Sequence, residues 1–304
     1  MEQSTAKFAS VIITTYNRAD AFLIRAINSV INQQTQYVYE IIVVDDNGFD
    51  SVKQKETEIL LDQYIATGTI KYLPQQNNTG ACIGRNVGAT HAIGKYIFFL
   101  DDDDEFMPNK IQVQTDFLEN NKAFDGCLAG FKRFENNKEI IAKSNHATVG
   151  NFVNFVINGN FFTPMLCIKK DSLLKFGGFQ NIERFQDRYM MLHALSKGLQ
   201  FECINDSLHI MYEHNGERIT NKSVEKTINS LEIIKDFISK FKKQFTILEW
   251  NSFLIKDLRM RGTNFYIAPT YWQRTKGFYF YRKAFCLSKK KKDLKMMIQS
   301  IFKF

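Results

Sequence analysis

Short apolar runs, each breaking off into polar or acidic residues, set the rhythm of the first hundred positions. SVIITTYNR, Ser10 to Arg18, reads as a buried strand running into a polar turn. Leu23, Ile27, Val30 and Ile31 then recur at helical spacing, which predicts one amphipathic helix to about Gln34. EIIVVDDNG, Glu40 to Gly48, is a second apolar strand that ends at Asp45 and Asp46 in turn residues. A helical segment around Glu56 to Ile65 and a short strand at Thr69 to Leu73 follow. NNTGACIGRNVG, Asn77 to Gly88, is a Gly- and Asn-rich loop passing into a helix that runs through about Ile93. GKYIFFLDDDDEFMP, Gly94 to Pro108, sets a strand-sized apolar run, Tyr96 to Leu100, directly before Asp101, Asp102, Asp103 and Asp104. Strands alternating with helices in this way predict an α/β domain, with a mainly parallel central sheet flanked by helices.

From about Lys222 the pattern turns helical, so the chain divides into an α/β domain, 1–221, and a helical extension, 222–304. Ile228, Leu231, Ile234, Ile238, Phe241 and Phe245 form a long stripe at helical spacing, predicting one helix packed on the preceding domain. Charge changes the picture of this part. The net charge is +8, but from Thr270 onward ten basic residues face one acid, Asp293, so the preceding residues sum to about −1. The basicity is local: Lys289 to Lys292 lead into a segment with Leu294, Met297, Ile298, Ile301 and Phe304 on one face. Lysines beside an apolar face suit an anionic membrane surface. A subunit contact through that face, giving a homo-oligomer, is the other reading, and nucleic acid is not expected because no recognition motif accompanies the lysines. Cys82, Cys127, Cys167, Cys203 and Cys286 are odd in number and scattered, which fits neither a disulfide framework nor a zinc spacing. With no signal-peptide pattern and no run near the ~18 apolar residues of a membrane span, the expected place is the cytoplasm.

The candidate chemistry gathers at strand ends. In an open α/β sheet, ligands bind at the carboxyl ends of the strands. Carboxylates crowded there repel one another unless a cation neutralises them, and their hard oxygens suit Mg²⁺ or Mn²⁺. If the extended geometry of the strand persists, Asp101 and Asp103 point to the same side. The plainer alternative for the tetrad is a solvated acidic loop or a helix N-cap. Asp45 and Asp46 are candidates to accept hydrogen bonds from a ribose or base, or are simple turn-formers before Gly48. Arg85, entering a helix beside Gly80 and Gly84, is placed to meet a phosphate. The glycines match neither a dinucleotide GxGxxG nor a P-loop, so dehydrogenase and P-loop chemistry are unsupported.

Four segments in order then carry a family resemblance: VIITTYNR, IIVVDDNG, NNTGACIGRNVGATHAIGKYIFFLDDDDEFMP, and GGFQNIERFQD at Gly177 to Asp187. Together they cover roughly residues 8 to 190, and this half resembles the family 2 glycosyltransferases, which have the GT-A fold. The third segment is the most specific, with Arg85 and Asn86 ahead of the acidic motif; Thr14 stands where many relatives have proline. The resemblance implies an inverting, metal-dependent enzyme that moves a sugar from a nucleotide-sugar, by default a UDP-sugar, to a glycan or lipid-linked acceptor. The expected setting is bacterial surface polysaccharide or lipopolysaccharide synthesis, at the inner face of the cell membrane. It implies Asp103 and Asp101 as ligands of Mn²⁺ or Mg²⁺, with His214 as a third. It implies a nucleotide-sugar pocket lined by Thr14, Thr15, Tyr16, Arg18, Asp45, Asp46, Asn78, Gly80, Arg85, Asp101 and Asp102. Asp187 matches the family's catalytic base, its alternative being a helix-face ion pair with Arg184 or Arg188. NGNFFTPMLCI, Asn158 to Ile168, is read as shaping the acceptor pocket or as supplying core aromatics, Arg218 as a phosphate contact and His209 as structural. Two other functions fit less well: a non-catalytic nucleotide-sugar- or membrane-binding module, and a sugar nucleotidyltransferase, whose Gly-rich basic signature Ser10 to Arg18 lacks.

Overall fold

A computed structural model describes residues 8–136, 138–213, 223–267 and 271–302. The chain divides into two compact units. The first holds most of residues 8–213; the second gathers 152–158, 182–185 and the described residues from 223 onward.

The first unit opens with the expected alternation: β1 (Ala9–Thr15), α1 (Ala21–Ile31), β2 (Tyr39–Asp45), α2 (Val52–Ala66), β3 (Lys71–Pro74), α3 (Ala81–His91) and β4 (Tyr96–Asp101). β1 lies between β2 and β4, parallel to both, and β3 extends the parallel set beyond β2. The apolar runs become strands because both faces are covered: Val11, Ile13, Ile41, Val43, Phe98 and Leu100 are buried in one core with Leu23, Ile27 and Val30 of α1, and Ile12, Ile42, Val44, Ile97 and Phe99 are buried on the other face. After β5 (Glu105–Phe106) and α4 (Lys110–Asn120), the sheet continues through β6 (Gly126–Glu135), the β7 hairpin (Lys138–Glu139), β8 (Leu166–Lys169) and β9 (Phe201–Glu213). β8 is antiparallel to both β4 and β6, so the sheet is parallel on one side and mixed on the other. α5 (Phe152–Asn158) belongs to the second unit, whereas α6 (Lys170–Phe176) and α7 (Gln186–Ser196) follow β8 and precede β9.

Two close approaches fix α3 on the sheet. A Cβ at Gly88 would come within 2.5 Å of Ile12 Cγ2, and one at Gly84 within 3.2 Å of Thr14 Cγ2. Only glycine lets the helix lie this near β1.

α2 starts at Val52, four residues ahead of the predicted Glu56, because Ser51 caps it by accepting from the Gln54 N–H. In the second unit, α8 (Val224–Ser239) is followed by α9 (Ile247–Tyr266), α10 (Tyr271–Ser288) and α11 (Lys291–Phe302). The stripe read as one helix to Phe245 is therefore interrupted after Ser239. A capping box explains the restart: Thr246 accepts from the Glu249 N–H while Glu249 accepts from the Thr246 N–H. Phe237, Phe241 and Phe245 all gather on the Phe152 ring of α5.

Candidate active site

β4 ends at Asp101, and there the extended geometry stops. The Asp104 N–H donates back to the Asp101 carbonyl over 3.2 Å, closing a turn through Asp102 and Asp103. The expectation that Asp101 and Asp103 share a side of an extended strand fails for this reason. The turn instead fans the carboxylates toward different partners. Asp101 pairs with the Arg85 guanidinium at 2.8 Å. Asp102 and Asp103 share Arg18, at 3.2 and 3.3 Å, and the Thr15 hydroxyl donates to Asp102 at 2.7 Å. Asp104 is buried and accepts from the Tyr212 N–H of β9. Arg25 of α1 donates to the Asp103 carbonyl at 2.6 Å and holds Glu105 at 3.0 Å, its guanidinium 4.0 Å from the Tyr212 ring centre.

Burial pushes the Asp102 carboxyl up to about 7, with Arg18 pulling down and the neighbouring Asp103 and Asp101 charges adding to the rise. Three carboxylates here share two guanidiniums. The donor set, carboxylate oxygens, is of the kind that suits a hard divalent cation. Among the described residues no three acidic, histidine or cysteine groups converge as a self-sufficient metal cage. A magnesium-type site needs only one or two carboxylates when a phosphate supplies the rest. His214 and Arg218 lie outside the described residues.

Arg85 reaches in a second direction. Its Nη1 donates to Gln186 Oε1 at 3.3 Å, and its guanidinium lies 5.2 Å from the Phe179 ring centre. Gln186 begins α7, and Asp187 sits in that helix's first turn, where a carboxylate is favoured. Thr163 Oγ1 donates to Asp187 Oδ1. Burial pushes the Asp187 carboxyl up, against the downward pull of Arg85 and Thr163. Asn86, next along α3, clasps the preceding loop: its amide nitrogen donates to the Phe179 carbonyl at 2.7 Å and its oxygen accepts the Phe179 N–H at 2.8 Å. Gly178, at φ +64°, leaves the room this needs, since a Cβ there would lie 2.3 Å from Asn86 Oδ1. The Arg-Asn pair thus ties the acidic turn and the α7 approach to one helix.

The remaining predicted positions ring β1 and β2. Thr14 stands beside Asp101 in the β1–β4 register and Tyr16, just past β1, is exposed. Asp46 accepts from the Thr79 N–H and hydroxyl and from the Gly80 N–H, at 2.7 to 3.0 Å. Gly80, at φ +86°, is the N-cap of α3, and Asn78 is exposed in the loop before it. Asp45 is wholly buried, accepting from the Tyr72 hydroxyl at 2.6 Å and the Asn47 N–H at 2.8 Å. His209 is buried against Phe131, and burial drives its imidazole well below its usual pKa, as suits a structural residue. Sequence reading missed Arg25 and the specific part of Thr163. The segment holding Thr163 was singled out, but nothing local marks that threonine as the partner of Asp187.

The profile of glycosyl transferase family 2 matches residues 10–185. The chain belongs to glycosyltransferase family 2. A glycosyltransferase of Haemophilus influenzae is 28% identical over 243 residues, covering 77% of this chain and 78% of that protein. WfgD of Escherichia coli, a UDP-Glc:alpha-D-GlcNAc-diphosphoundecaprenol beta-1,3-glucosyltransferase, is 33% identical over 135 residues, 44% of this chain and 49% of that one. A glycosyltransferase of Rickettsia conorii is 41% identical over 112 residues, which is 37% of this chain and only 17% of the length of that relative. Among solved structures, Staphylococcus aureus TarS 1–349 in complex with UDP-GlcNAc superposes with a TM-score of 0.59 at 16% identity, over 97% of this chain and 89% of that one. The likeness establishes a GT-A fold.

Proposed function

We propose that this glycosyltransferase transfers a sugar, with inversion and with a divalent metal, from a UDP-sugar to a hydroxyl of a glycan or lipid-linked acceptor. The setting we infer is bacterial surface polysaccharide or lipopolysaccharide synthesis, at the cytoplasmic face of the cell membrane. The observation that carries the reading is Arg85, which joins the acidic strand end at Asp101 to the helix start that bears Asp187. A donor-holding group and a base are thereby fixed to one side chain, as a single displacement requires. The names of WfgD and of the TarS complex support a UDP-sugar donor, and WfgD a lipid-linked acceptor. No helix among the described residues is long and apolar enough to cross a membrane.

In this mechanism the nucleoside lies along the ends of β1 and β2, against Thr14, Tyr16 and the Asp46–Gly80 turn, with Thr15, Asp45 and Asn78 supporting that wall. Arg18 and Arg85 orient the donor by holding Asp102, Asp103 and Asp101 in place. Asp103 and Asp101 would hold the Mn²⁺ or Mg²⁺, which supplies Lewis-acid stabilisation of the departing diphosphate. Thr163 holds the Asp187 carboxylate in place, and that carboxylate takes the proton of the attacking hydroxyl. Burial strengthens this base by favouring its protonated form.

Release of nucleoside diphosphate from a panel of nucleotide-sugars, with Mn²⁺, Mg²⁺ or EDTA, tests the reading. Metal-dependent release from one donor, lost in Asp103→Ala, is the expected result. If no nucleotide-sugar binds under any of these conditions, the reading is wrong.

A further inference from the structure

Helix α11 is turned inside out for a protein surface. Its inward side carries Asp293 and Ser300, both buried, while Leu294 and Ile298 stand 36% and 48% exposed. Asp293 is held there by both arms of Arg259, at 2.7 Å each, and by the Ser288 hydroxyl. The one acid of the last 35 residues is thereby withdrawn from the surface. What remains outside is uniformly basic: Lys289 and Lys290 in the turn before the helix, then Lys291, Lys292 and Lys295, all exposed. At about 3.6 residues per turn, Leu294, Ile298, Lys291 and Lys295 fall within one arc of roughly 100°. Leu287, at the end of α10, is also exposed.

A single exposed leucine needs no explanation. An exchange of sides, with polar groups sealed in and apolar ones set among lysines, does. We propose that α11 and the Lys289–Lys292 turn form a docking face for an anionic lipid surface. Headgroup phosphates meet the ammonium groups, and Leu294 and Ile298 enter the acyl boundary between them. The lysine stems lie along the apolar layer while their charges stay at the phosphates. A nucleic acid would satisfy the lysines and leave Leu294 and Ile298 in water. A second copy of the same face would bring lysine against lysine without a counter-charge. This inference is independent of the donor and acceptor, so it survives or fails apart from the catalytic reading.

The full chain is sedimented with phosphatidylcholine vesicles and with the same vesicles carrying phosphatidylglycerol. The expected result is partitioning to the anionic vesicles only, weakened by salt, with each Lys→Gln change at positions 291, 292 and 295 costing about fivefold. Leu294→Ser with Ile298→Ser should weaken binding further while leaving its salt dependence in place. The three lysines are exposed, so their changes should leave melting temperature and nucleotide-sugar hydrolysis at the parent's values, while Leu294 and Ile298 are partly covered, so Leu294→Ser with Ile298→Ser is assayed below that variant's own melting temperature. Equal partitioning to neutral vesicles, or none to either, would overturn the proposal. So would tighter binding to single- or double-stranded DNA than to the anionic vesicles, or a dimer in solution that Leu294→Ser with Ile298→Ser dissolves.

Discussion

Two acidic strand ends flank β1, and they are answered in opposite ways. At the end of β2, Asp45 and Asp46 accept only from neutral donors: the Tyr72 hydroxyl and the Asn47 N–H for one, the Thr79 and Gly80 groups for the other. At the end of β4, Asp101, Asp102 and Asp103 meet two guanidiniums across the crevice. Backbone amides and a tyrosine fix a carboxylate where it stands, and the Asp45–Asp46 pair consequently builds the loop that starts α3. The guanidiniums of Arg18 and Arg85 instead give the Asp101–Asp103 turn charged partners that reach it from elsewhere in the fold. Like composition at like positions is thus held by neutral donors on one strand and by charged ones on the next.

The largest effects should fall on the β4 side. Asp187→Asn keeps the Thr163 hydrogen bond within reach but removes the proton acceptor, so kcat should drop about 10²- to 10⁴-fold, with little change in melting temperature. In the parent, kcat/KM should rise with pH through an acid limb lying above the ordinary aspartate range, because burial raises the Asp187 carboxyl and its ionised form is the active one. A limb near pH 4 would show that Asp187 is not the base.

Arg85 comes next. It is 7% exposed and faces both Asp101 and Asp187. Arg85→Met removes the counter-charge facing the part-buried Asp101 and Asp187 and should cost about 1–3 kcal/mol, measured by urea unfolding. Arg85→Lys keeps the charge and should recover much of that stability. In either variant the acid limb should move to higher pH if the Asp187 pairing is weakened, because Arg85 is the group that holds this carboxyl down. A limb that stays put while stability falls would reduce Arg85 to a structural strut.

Much of this arrangement was written locally in the chain. Apolar runs bounded by turns placed β1, β2 and β4 within a residue or two, since both faces of those strands are covered and their central side chains are almost all apolar. The position of the acids at strand ends followed from the same pattern. Their division of labour did not. Asp103 meets Arg25 across 78 positions and Asp187 meets Thr163 across 24, and no window sees such pairs. Nor does local pattern reveal Lys110, whose buried amine is drawn down to about 7 among apolar neighbours. The interrupted stripe after Ser239 was legible in principle, because Thr246 and Glu249 spell a capping box. The apolar periodicity outvoted it.

Smaller effects belong to the β2 side and should appear as stability. Asp46→Ala frees the Thr79 and Gly80 N–H groups and should cost about 1–3 kcal/mol, lowering melting temperature with a weaker loss of turnover than at Asp187. If turnover falls as far as it does in Asp187→Asn, the neutral-donor end is chemical too, and the comparison breaks.

Tyr72→Phe is the mildest probe and the most discriminating. It removes one hydroxyl, whose 2.6 Å bond to Asp45 opposes the upward push of burial on that carboxyl. Asp45 therefore titrates higher in the folded chain than in the unfolded one. The folded state holds its proton more tightly, and stability falls as pH rises from the unfolded pKa through the folded one. Losing the hydroxyl raises the folded pKa further and widens that window. The variant should lose about 0.5–1.5 kcal/mol at neutral pH, and less below the unfolded pKa, where Asp45 is protonated in both states. Melting curves of parent and variant across this range measure it. Converging curves at acid pH, with nucleotide-sugar turnover unchanged, would mark the Asp45–Tyr72 contact as scaffold. A stability gap independent of pH would mean that the tyrosine acts through packing alone and that Asp45 carries no charge for it to hold.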